Sequence, residues 1–304
     1  MSETDGTAYR GRLAPSPTGL LHLGHARTFW TAQERCAKHR GRLVLRNEDL
    51  DFARCRSEFV DAMIEDLSWF GIRWGEGPDK GGPCAPYSQS ACAGYYETAL
   101  RTLAESGRIF PCTCSRQDVM RSVLAPNWGD EEPVYPGTCH PRSAQPFRWA
   151  EVLALRGRRV QWRFRVPEGE TVTFMDGFHG PQANRAGVEF GDFVVWRHDW
   201  IPSYQLAVVV DDARMSISEV VRGADLLTST ARQILLYRAL GLRIPAFYHC
   251  PLVLDDSGVR LAKRHDSLSL RALRKKGLRP EGIREDWLSP SSNDRIRALP
   301  LGPH

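Results

Sequence analysis

The sequence predicts an α/β fold whose two halves are separated by an insertion, and three observations carry that prediction. RLVLRNED at 42–49 is an aliphatic run between Gly41 and acidic residues, which reads as a strand. Behind it Phe59, Met63, Leu67 and Phe70 recur at helical spacing, from a cap at Ser57 to a stop at Gly71. A second run, QLAVVVDD at 205–212, is almost continuously apolar, as buried parallel strands are. TSTARQILLYRALG at 228–241 then offers a cap, an apolar face and a terminal glycine. Between about 110 and 190 the alternation gives way to cysteines, prolines, glycines and one short alternating stretch, VQWRFRV at 160–166. The expected boundaries are 8–109 for the first half, 110–190 for the insertion, 191–250 for the second half, and 251–304 for a loop with a short basic C-terminal segment.

Composition narrows the class without fixing it. Among 304 residues, 41 basic against 36 acidic side chains leave a formal charge of +5, which only weakly favours phosphate or nucleic-acid ligands. The N-terminal MSETDGTAYR has no apolar stretch of leader length, and LAVVV at 206–210 is too short to span a bilayer. A soluble cytoplasmic protein without a membrane partner is expected, in which the eight cysteines are thiols or metal ligands rather than disulfides. One charge block stands out. Residues 260–279 carry eight Lys or Arg, opposed only by Asp266.

Two local patterns carry chemistry. LAPSPTGLLHLGHAR at 13–27 places His22 and His25 around Gly24 at the mouth of a predicted helix. Helix N-termini present unpaired N–H groups and partial positive charge, so they attract phosphate, and a glycine lets the ligand approach the backbone. Read without context, the same residues are a loop histidine and a solvent-facing one. In the insertion, PCTCS at 111–115 and YPGTCH at 135–140 set Cys112, Cys114 and Cys139 as zinc thiolates, one short of a tetrahedron. General zinc chemistry favours His140 as the fourth ligand. Cys36, Cys55, Cys84, Cys92 and Cys250 show no such pairing and read as packing or surface thiols.

APSPTGLLHLGHAR, LRNEDLD at 45–51, VVRGADLL at 220–227 and VRLAKRHDS at 259–267 stand in the order and approximate spacing of the class I glutamyl-type aminoacyl-tRNA synthetases. The chain resembles that family from about residue 10 to 270. The resemblance implies a Rossmann-type class I catalytic domain with a zinc-bearing insertion. HLGH matches the family's HIGH motif and RLAKR its KMSKS loop, which implies that His22, Gly24, His25 and Lys263 bind ATP and that His22, His25 and Lys263 are catalytic. It also implies a glutamate site of Arg12, Leu13, Ala14, Pro15, Ser16, Glu48, Tyr204 and Arg222. Arg12 and Arg222 would hold the side-chain carboxylate, Glu48 the ammonium, with Tyr204 and Ser16 donating hydrogen bonds. The fourth zinc position falls to Tyr135 by the resemblance, so Tyr135 and His140 are rivals. Four residues depart from the family pattern: Arg260, Ala262 and Arg264 in the lysine loop, and Asn47 before Glu48. ATP is expected with Mg2+, which needs no dedicated protein cage.

Only about forty residues follow the lysine loop, too few for the family's anticodon-binding domain, so none is expected. The short, cysteine-bearing form is similar to the branch that attaches glutamate to the queuosine base of tRNA(Asp). The partners so implied are tRNA(Asp) carrying queuosine, L-glutamate and ATP, acting with a monomer. Residues 260–279 together with Arg158, Arg159 and Arg163 are expected to grip tRNA phosphates. A truncated glutamyl-tRNA synthetase charging a 3′ end and a non-catalytic tRNA-binding descendant are the alternatives.

Overall fold

The structure is a computed structural model that describes residues 8–122, 134–253 and 269–288. These form two compact units, one gathering the described residues up to Ala91, Ser218–Asp225 and those from Phe247 on, the other Cys92–Ile217 and Leu226–Ala246. The first unit opens with β1 (Arg10–Leu13), α1 (Leu23–Lys38), β2 (Arg42–Leu45) and α2 (Ser57–Phe70). The chain then builds the second through α3 (Ala93–Glu105), β3 (Ile109–Cys112), α4 (Arg116–Ser122), α5 (Trp149–Ala154), β4 (Gln161–Phe164), β5 (Thr171–Asp176), β6 (Gly180–Arg185), β7 (Phe193–Trp196) and α6 (Tyr204–Arg214). β8 (Glu219–Gly223) lies in the first unit and α7 (Leu227–Ala239) in the second. β9 (Ala246–Cys250), α8 (Leu270–Lys275) and α9 (Pro280–Leu288) complete the first.

In the first unit β1 pairs in parallel with β2, from Arg10 opposite Arg42 to Leu13 opposite Leu45. α1 crosses between them with a buried stripe of Leu23, Ala26, Phe29, Ala32 and Cys36, as a βαβ crossover requires. That stripe packs with Leu43, Leu45, Met63, Leu67, Phe70 and Val221 into one core, each large side chain contributing about 1.5–3 kcal/mol of burial. β8 lies beside β1 through the Ser218 N–H, which donates to the Arg10 carbonyl at 2.9 Å, and neighbours β9. The helix α2 ends at Gly71 as expected, in a left-handed conformation (φ +88°) that glycine adopts without strain. Ser57 does not cap it. The helix starts at Ser57 itself, and Arg56 occupies the cap position without a side-chain bond.

A half-buried ion pair ties this unit together. Glu219 on β8 accepts from Arg35 Nε (2.7 Å) and Nη2 (2.6 Å) on α1, and from the Tyr9 hydroxyl (2.7 Å). Burial raises the Glu219 carboxyl, but Arg35 and then Tyr9 outweigh it and hold it below the usual carboxylate range. A folded pKa below the unfolded value means that this stability is fully present above the ordinary carboxylate pKa and is lost as pH falls through the lowered one. Glu219→Gln is therefore expected to cost about 1–3 kcal/mol at neutral pH and to flatten the acid limb of a stability profile followed by urea melts. An acid limb as steep as that of the parent would reject the assignment.

The second unit corrects one expectation. Residues 205–212 form no strand: they lie in α6, whose residues Leu206–Asp212 are all buried. Ser203 caps it by accepting from the Leu206 N–H, and the Tyr96 hydroxyl on α3 donates to Asp211 at 2.8 Å. On the other side, Gln205 donates to Ser229 and accepts from Gln233 on α7. A helix enclosed all round has no polar face, so its sequence lacks the 3.6-residue period and imitates a buried strand. The helix read at 228–241 is α7, which begins at Leu227 without a side-chain cap. VQWRFRV contains β4, which lies between β3 and β7 in an antiparallel sheet. β5 and β6 form a hairpin registered from Thr171 opposite Arg185 to Asp176 opposite Gly180.

Candidate active site

The mouth of α1 is built by its own histidines. His22 is the N-cap in extended backbone (ψ 174°), and its Nδ1 accepts from the Gly24 N–H at 3.1 Å. His25 Nδ1 accepts in return from the His22 N–H at 3.2 Å, closing a capping box with imidazoles in place of the usual hydroxyl and carboxylate. The two rings lie 3.8 Å apart, centroid to centroid. Because both Nδ1 atoms accept, each neutral ring carries its proton on Nε2, the ring nitrogen remote from the capped backbone. The cap thus sets the tautomer as well as the helix start, at the positive end of the helix. Gly24 suits this close approach. A Cβ there would lie 3.0 Å from His22 Cε1 and 3.2 Å from its Nδ1, so the capping ring would have to give by a few tenths of an ångström.

Backbone bonds bring the next segments together. The Arg46 N–H donates to the Leu13 carbonyl at 2.8 Å and the Glu48 N–H to Pro15 at 3.1 Å, so Leu13, Ala14, Pro15 and Ser16 run beside Arg46, Asn47 and Glu48. Leu13 and Pro15 are buried, Ala14 is half-buried and Ser16 is exposed. Arg12 is buried, and its Nη1 donates to the Val221 carbonyl at 2.7 Å, next to Arg222. Glu48 is buried and its Oε1 accepts from Arg46 Nη2 at 2.9 Å and Nε at 3.2 Å. Arg222 is buried too, and its Nε donates to His249 Nε2 at 3.0 Å. Arg12, Ser16, Glu48 and Arg222 all belong to the first unit, whereas Tyr204, 39% exposed, is the first residue of α6 in the second.

Arg46 and His249 were not anticipated from sequence. Arg46 had a signal, since residues two apart in extended backbone share a face and LRNED sets it two before Glu48. His249 had none, because only the pairing of β8 with β9 brings it to Arg222. Asn47, which departs from the family pattern, is buried and donates to Asp49 (3.1 Å) and Ser88 (3.2 Å), while Asp49 accepts from the Ser90 N–H and hydroxyl. An aliphatic residue there makes neither bond.

Lys263, with Arg260, Ala262 and Arg264, lies outside the described residues. The residues that border this segment are placed, however. Ser269 bridges to His22, the Leu270 N–H donates to the Leu21 carbonyl at 2.8 Å, and Val253 Cβ is 4.0 Å from where a Gly24 Cβ would stand. Val253 and Ser269, the described residues on either side of that segment, thus both lie beside the mouth of α1.

A second cluster lies within the second unit. Cys112, Cys114 and Cys139 have their sulfurs within 4.8 Å of one another, with 3.6 Å between Cys114 and Cys139. The Tyr135 hydroxyl is 3.5 Å from Cys112 Sγ and 3.7 Å from Cys114 Sγ, and accepts from the Cys139 N–H at 2.7 Å. Ligands at about 2.3 Å from a tetrahedral zinc lie about 3.8 Å apart, so three sulfurs and this oxygen fit one ion. His140 points elsewhere: its Nδ1 lies 2.6 Å from Asp192 Oδ2. Burial works against a Cys139 thiolate, yet the Thr113 N–H and the Tyr135 hydroxyl lower the thiol to about 7. Burial and then Cys112 push the Tyr135 phenol up, a balance that a divalent cation reverses. Arg163 is not a phosphate-gripping surface residue, as the sequence suggested. It is buried, donates to Cys112 Sγ at 3.3 Å and lies 4.0 Å over the Tyr135 ring, where its charge suits an anionic metal shell. Arg158 and Arg159 are exposed.

Comparison with known proteins places the chain in a family. Residues 8–286 match the family of class I tRNA synthetases (E and Q), catalytic domain. The chain is 47% identical over 274 residues to a glutamyl-Q tRNA(Asp) synthetase of Symbiobacterium thermophilum, covering 90% of this chain and 83% of that one. It is 40% identical over 277 residues to a glutamate–tRNA ligase of Nitrosococcus oceani, of which it spans only 58%. Among solved structures it is similar to a glutamate tRNA ligase from Elizabethkingia meningosepticum in complex with its amino acid, with a TM-score of 0.72 and 28% identity, over 90% of this chain and 54% of that one.

Proposed function

We infer the reaction from family and site together: this chain belongs to the class I tRNA synthetases for glutamate and glutamine, and within them to the glutamyl-Q tRNA(Asp) synthetases. It activates L-glutamate with ATP and transfers the glutamyl group to the queuosine base of tRNA(Asp). In the first step an α-carboxylate oxygen of glutamate attacks the α-phosphorus of ATP and pyrophosphate leaves. In the second a hydroxyl of the queuosine cyclopentenediol attacks the activated carbonyl and AMP leaves. No covalent enzyme intermediate is needed, so the protein acts by positioning and electrostatics.

The residue roles are proposals supported by burial and hydrogen bonding. Arg12 and Arg222 grip the side-chain carboxylate of glutamate, with Glu48 on its ammonium and Ser16 and Tyr204 as donors alongside the Leu13–Ala14–Pro15 backbone. Charge-assisted bonds of about 1.5–3 kcal/mol make a glutamine amide roughly ten- to a hundredfold poorer there. His22 and His25 donate from Nε2 to the ATP phosphates, Gly24 lets them approach, and Lys263 follows the charge on the departing pyrophosphate. Cys112, Cys114, Cys139 and Tyr135 hold one zinc per chain, which cross-links the insertion and supplies no reacting group; Mg2+ arrives with ATP. Among the described residues no helix is long and apolar enough to cross a membrane, and we take the protein to work as a cytoplasmic monomer.

The observation that supports the acceptor is similarity. The chain is 47% identical to two glutamyl-Q tRNA(Asp) synthetases and 40% identical to a glutamate–tRNA ligase. The test compares tRNA(Asp) with and without queuosine. Glutamate-dependent pyrophosphate exchange is expected without any tRNA, and charging only with the queuosine-bearing acceptor, including after its 3′ terminal adenosine has been removed enzymatically. Charging that disappears with that adenosine, or that proceeds equally on tRNA(Glu) lacking queuosine, favours a conventional 3′ end instead. Absence of exchange leaves only a tRNA-binding role.

A further inference from the structure

We propose that Asp66 is a positioning residue: by holding Arg271 it fixes the start of α8 against Leu21 and His22, and so keeps the mouth of α1 in the geometry that receives the ATP phosphates. This rests on the reading above in which His22 meets those phosphates. The elements concerned, α1, α2 and α8, all belong to the first unit. Asp66, on α2, is fully buried, and its Oδ1 accepts from Arg271 Nε on α8 at 3.3 Å. Arg271 Nη2 also donates to Glu65 at 2.6 Å, a carboxylate that is 61% exposed. Just before Arg271, the Leu270 N–H donates to the Leu21 carbonyl at 2.8 Å, and Ser269 forms an isolated antiparallel bridge with His22. Arg271 thus follows directly on the backbone that meets the cap of α1.

The Asp66–Arg271 pair is poorly explained as a stabilising contact. Among the described residues, Asp66 Oδ2 has no hydrogen-bond partner. Burial pushes the Asp66 carboxyl above the usual carboxylate range, and neither the charge and hydrogen bond of Arg271 nor the charge of Arg274 one turn further on offsets it, while Glu65 adds to the rise. An acid whose folded pKa lies above its unfolded one loses stability as pH rises through the ordinary carboxylate range, so at neutral pH this carboxylate opposes folding. An apolar side chain in such a place often does at least as well. What the carboxylate adds is direction. α8 has only six residues, and its buried Leu270 and Leu273 seat it in the core that holds Leu21, Leu23 and Leu67. Apolar burial is non-directional and leaves so short a helix free to roll or slide slightly, whereas a bond from Arg271 to a carboxylate fixed on α2 removes that freedom. Asp66 touches neither substrate nor reacting atoms. Its effect travels through Arg271 to His22.

The experiment measures pyrophosphate exchange by the full-length protein with ATP and glutamate varied separately, beside thermal melts. Asp66→Ala, which removes the acceptor and leaves Arg271 to Glu65 and water, is expected to lower kcat/KM for ATP about tenfold while the KM for glutamate changes by less than about threefold. Arg271→Met breaks the same bond from the other side and should give a similar loss, and the two substitutions together no more than either alone. Asp66→Asn keeps an oxygen toward Arg271 Nε and sheds the charge, so it should recover most of the loss and melt no lower than the parent. Glu65→Gln, which alters only the exposed arm of Arg271, should leave both substrates' kinetics within about twofold of the parent. Parental kinetics in the Ala and Met variants, additive losses in the pair, an Asn variant as impaired as Ala, or equal losses toward ATP and glutamate would each overturn the proposal. His22→Asn, which can still cap α1 but lacks the Nε2 donor, separates the two readings. If it leaves kcat/KM for ATP untouched, the phosphate site itself is misassigned; if it lowers that value while Asp66→Ala does not, only the positioning role falls.

Discussion

Replacing Lys263 by alanine is expected to slow glutamate-dependent pyrophosphate exchange by about 10²–10³-fold, the range lost when one donor aimed at transition-state charge is removed. The KM for glutamate should move little. Negative charge builds on pyrophosphate only as the α-phosphorus is attacked, so an ammonium that follows it binds the transition state better than the ground state. The lysine segment itself lies outside the described residues, but Val253 on one side and Ser269 on the other border the mouth of α1, where the two histidines stand. Arg260 and Arg264 keep the neighbourhood cationic in place of the family's lysine and serine. Steady-state exchange kinetics decide the matter together with a thermal melt. Turnover near that of the parent would reject the catalytic role, and a lowered melting temperature with normal turnover per folded molecule would make Lys263 structural.

Loss of the zinc shell is the second large effect. Cys114→Ser or exhaustive chelation is expected to remove about one zinc per chain and to unfold the part of the chain that contains Cys112, Tyr135 and Cys139, since metal binding and folding of such a site are one equilibrium. The fourth ligand is separable by two further substitutions. Tyr135→Phe removes the oxygen that sits 3.5 Å and 3.7 Å from two of the sulfurs, and should weaken zinc by more than the roughly 10–100-fold typical of an outer-shell change. His140→Ala removes the contact to Asp192, which is also held by the Val166 N–H at 2.9 Å, and the edge contact to the Phe110 ring, but no sulfur of the cluster, so the metal should stay. Elemental analysis and competition with a chromogenic chelator read both. Zinc retained after Tyr135→Phe and lost after His140→Ala would exchange the two assignments.

Much of what depends on near neighbours along the chain is legible in the sequence of this protein, although the caps read at Ser57 and at the start of 228–241 are not made. The helix α1 starts where HLGH says it should, because a cap is made between residues two or three apart: His22 with Gly24, His25 with His22. Gly71 ends α2 for an equally local reason, its positive φ. The Cys-x-Cys pair and its partner loop are legible since a tight turn alone brings two thiols to one ion. Tertiary structure decided the rest, wherever identity depends on what encloses a residue. Residues 205–212 have the composition of a buried strand and fold as α6, because a helix covered by α3 on one side and α7 on another needs no polar face. Arg163 alternates with apolar residues as an exposed strand position would, yet it turns inward, where Cys112 and the Tyr135 ring take up its charge. His249 and Arg222 are 27 residues apart and meet only across β8 and β9. Periodicity and spacing report a residue's own element; the partner that sets its charge, tautomer or burial arrives from another one, and that meeting exists only after the chain has packed.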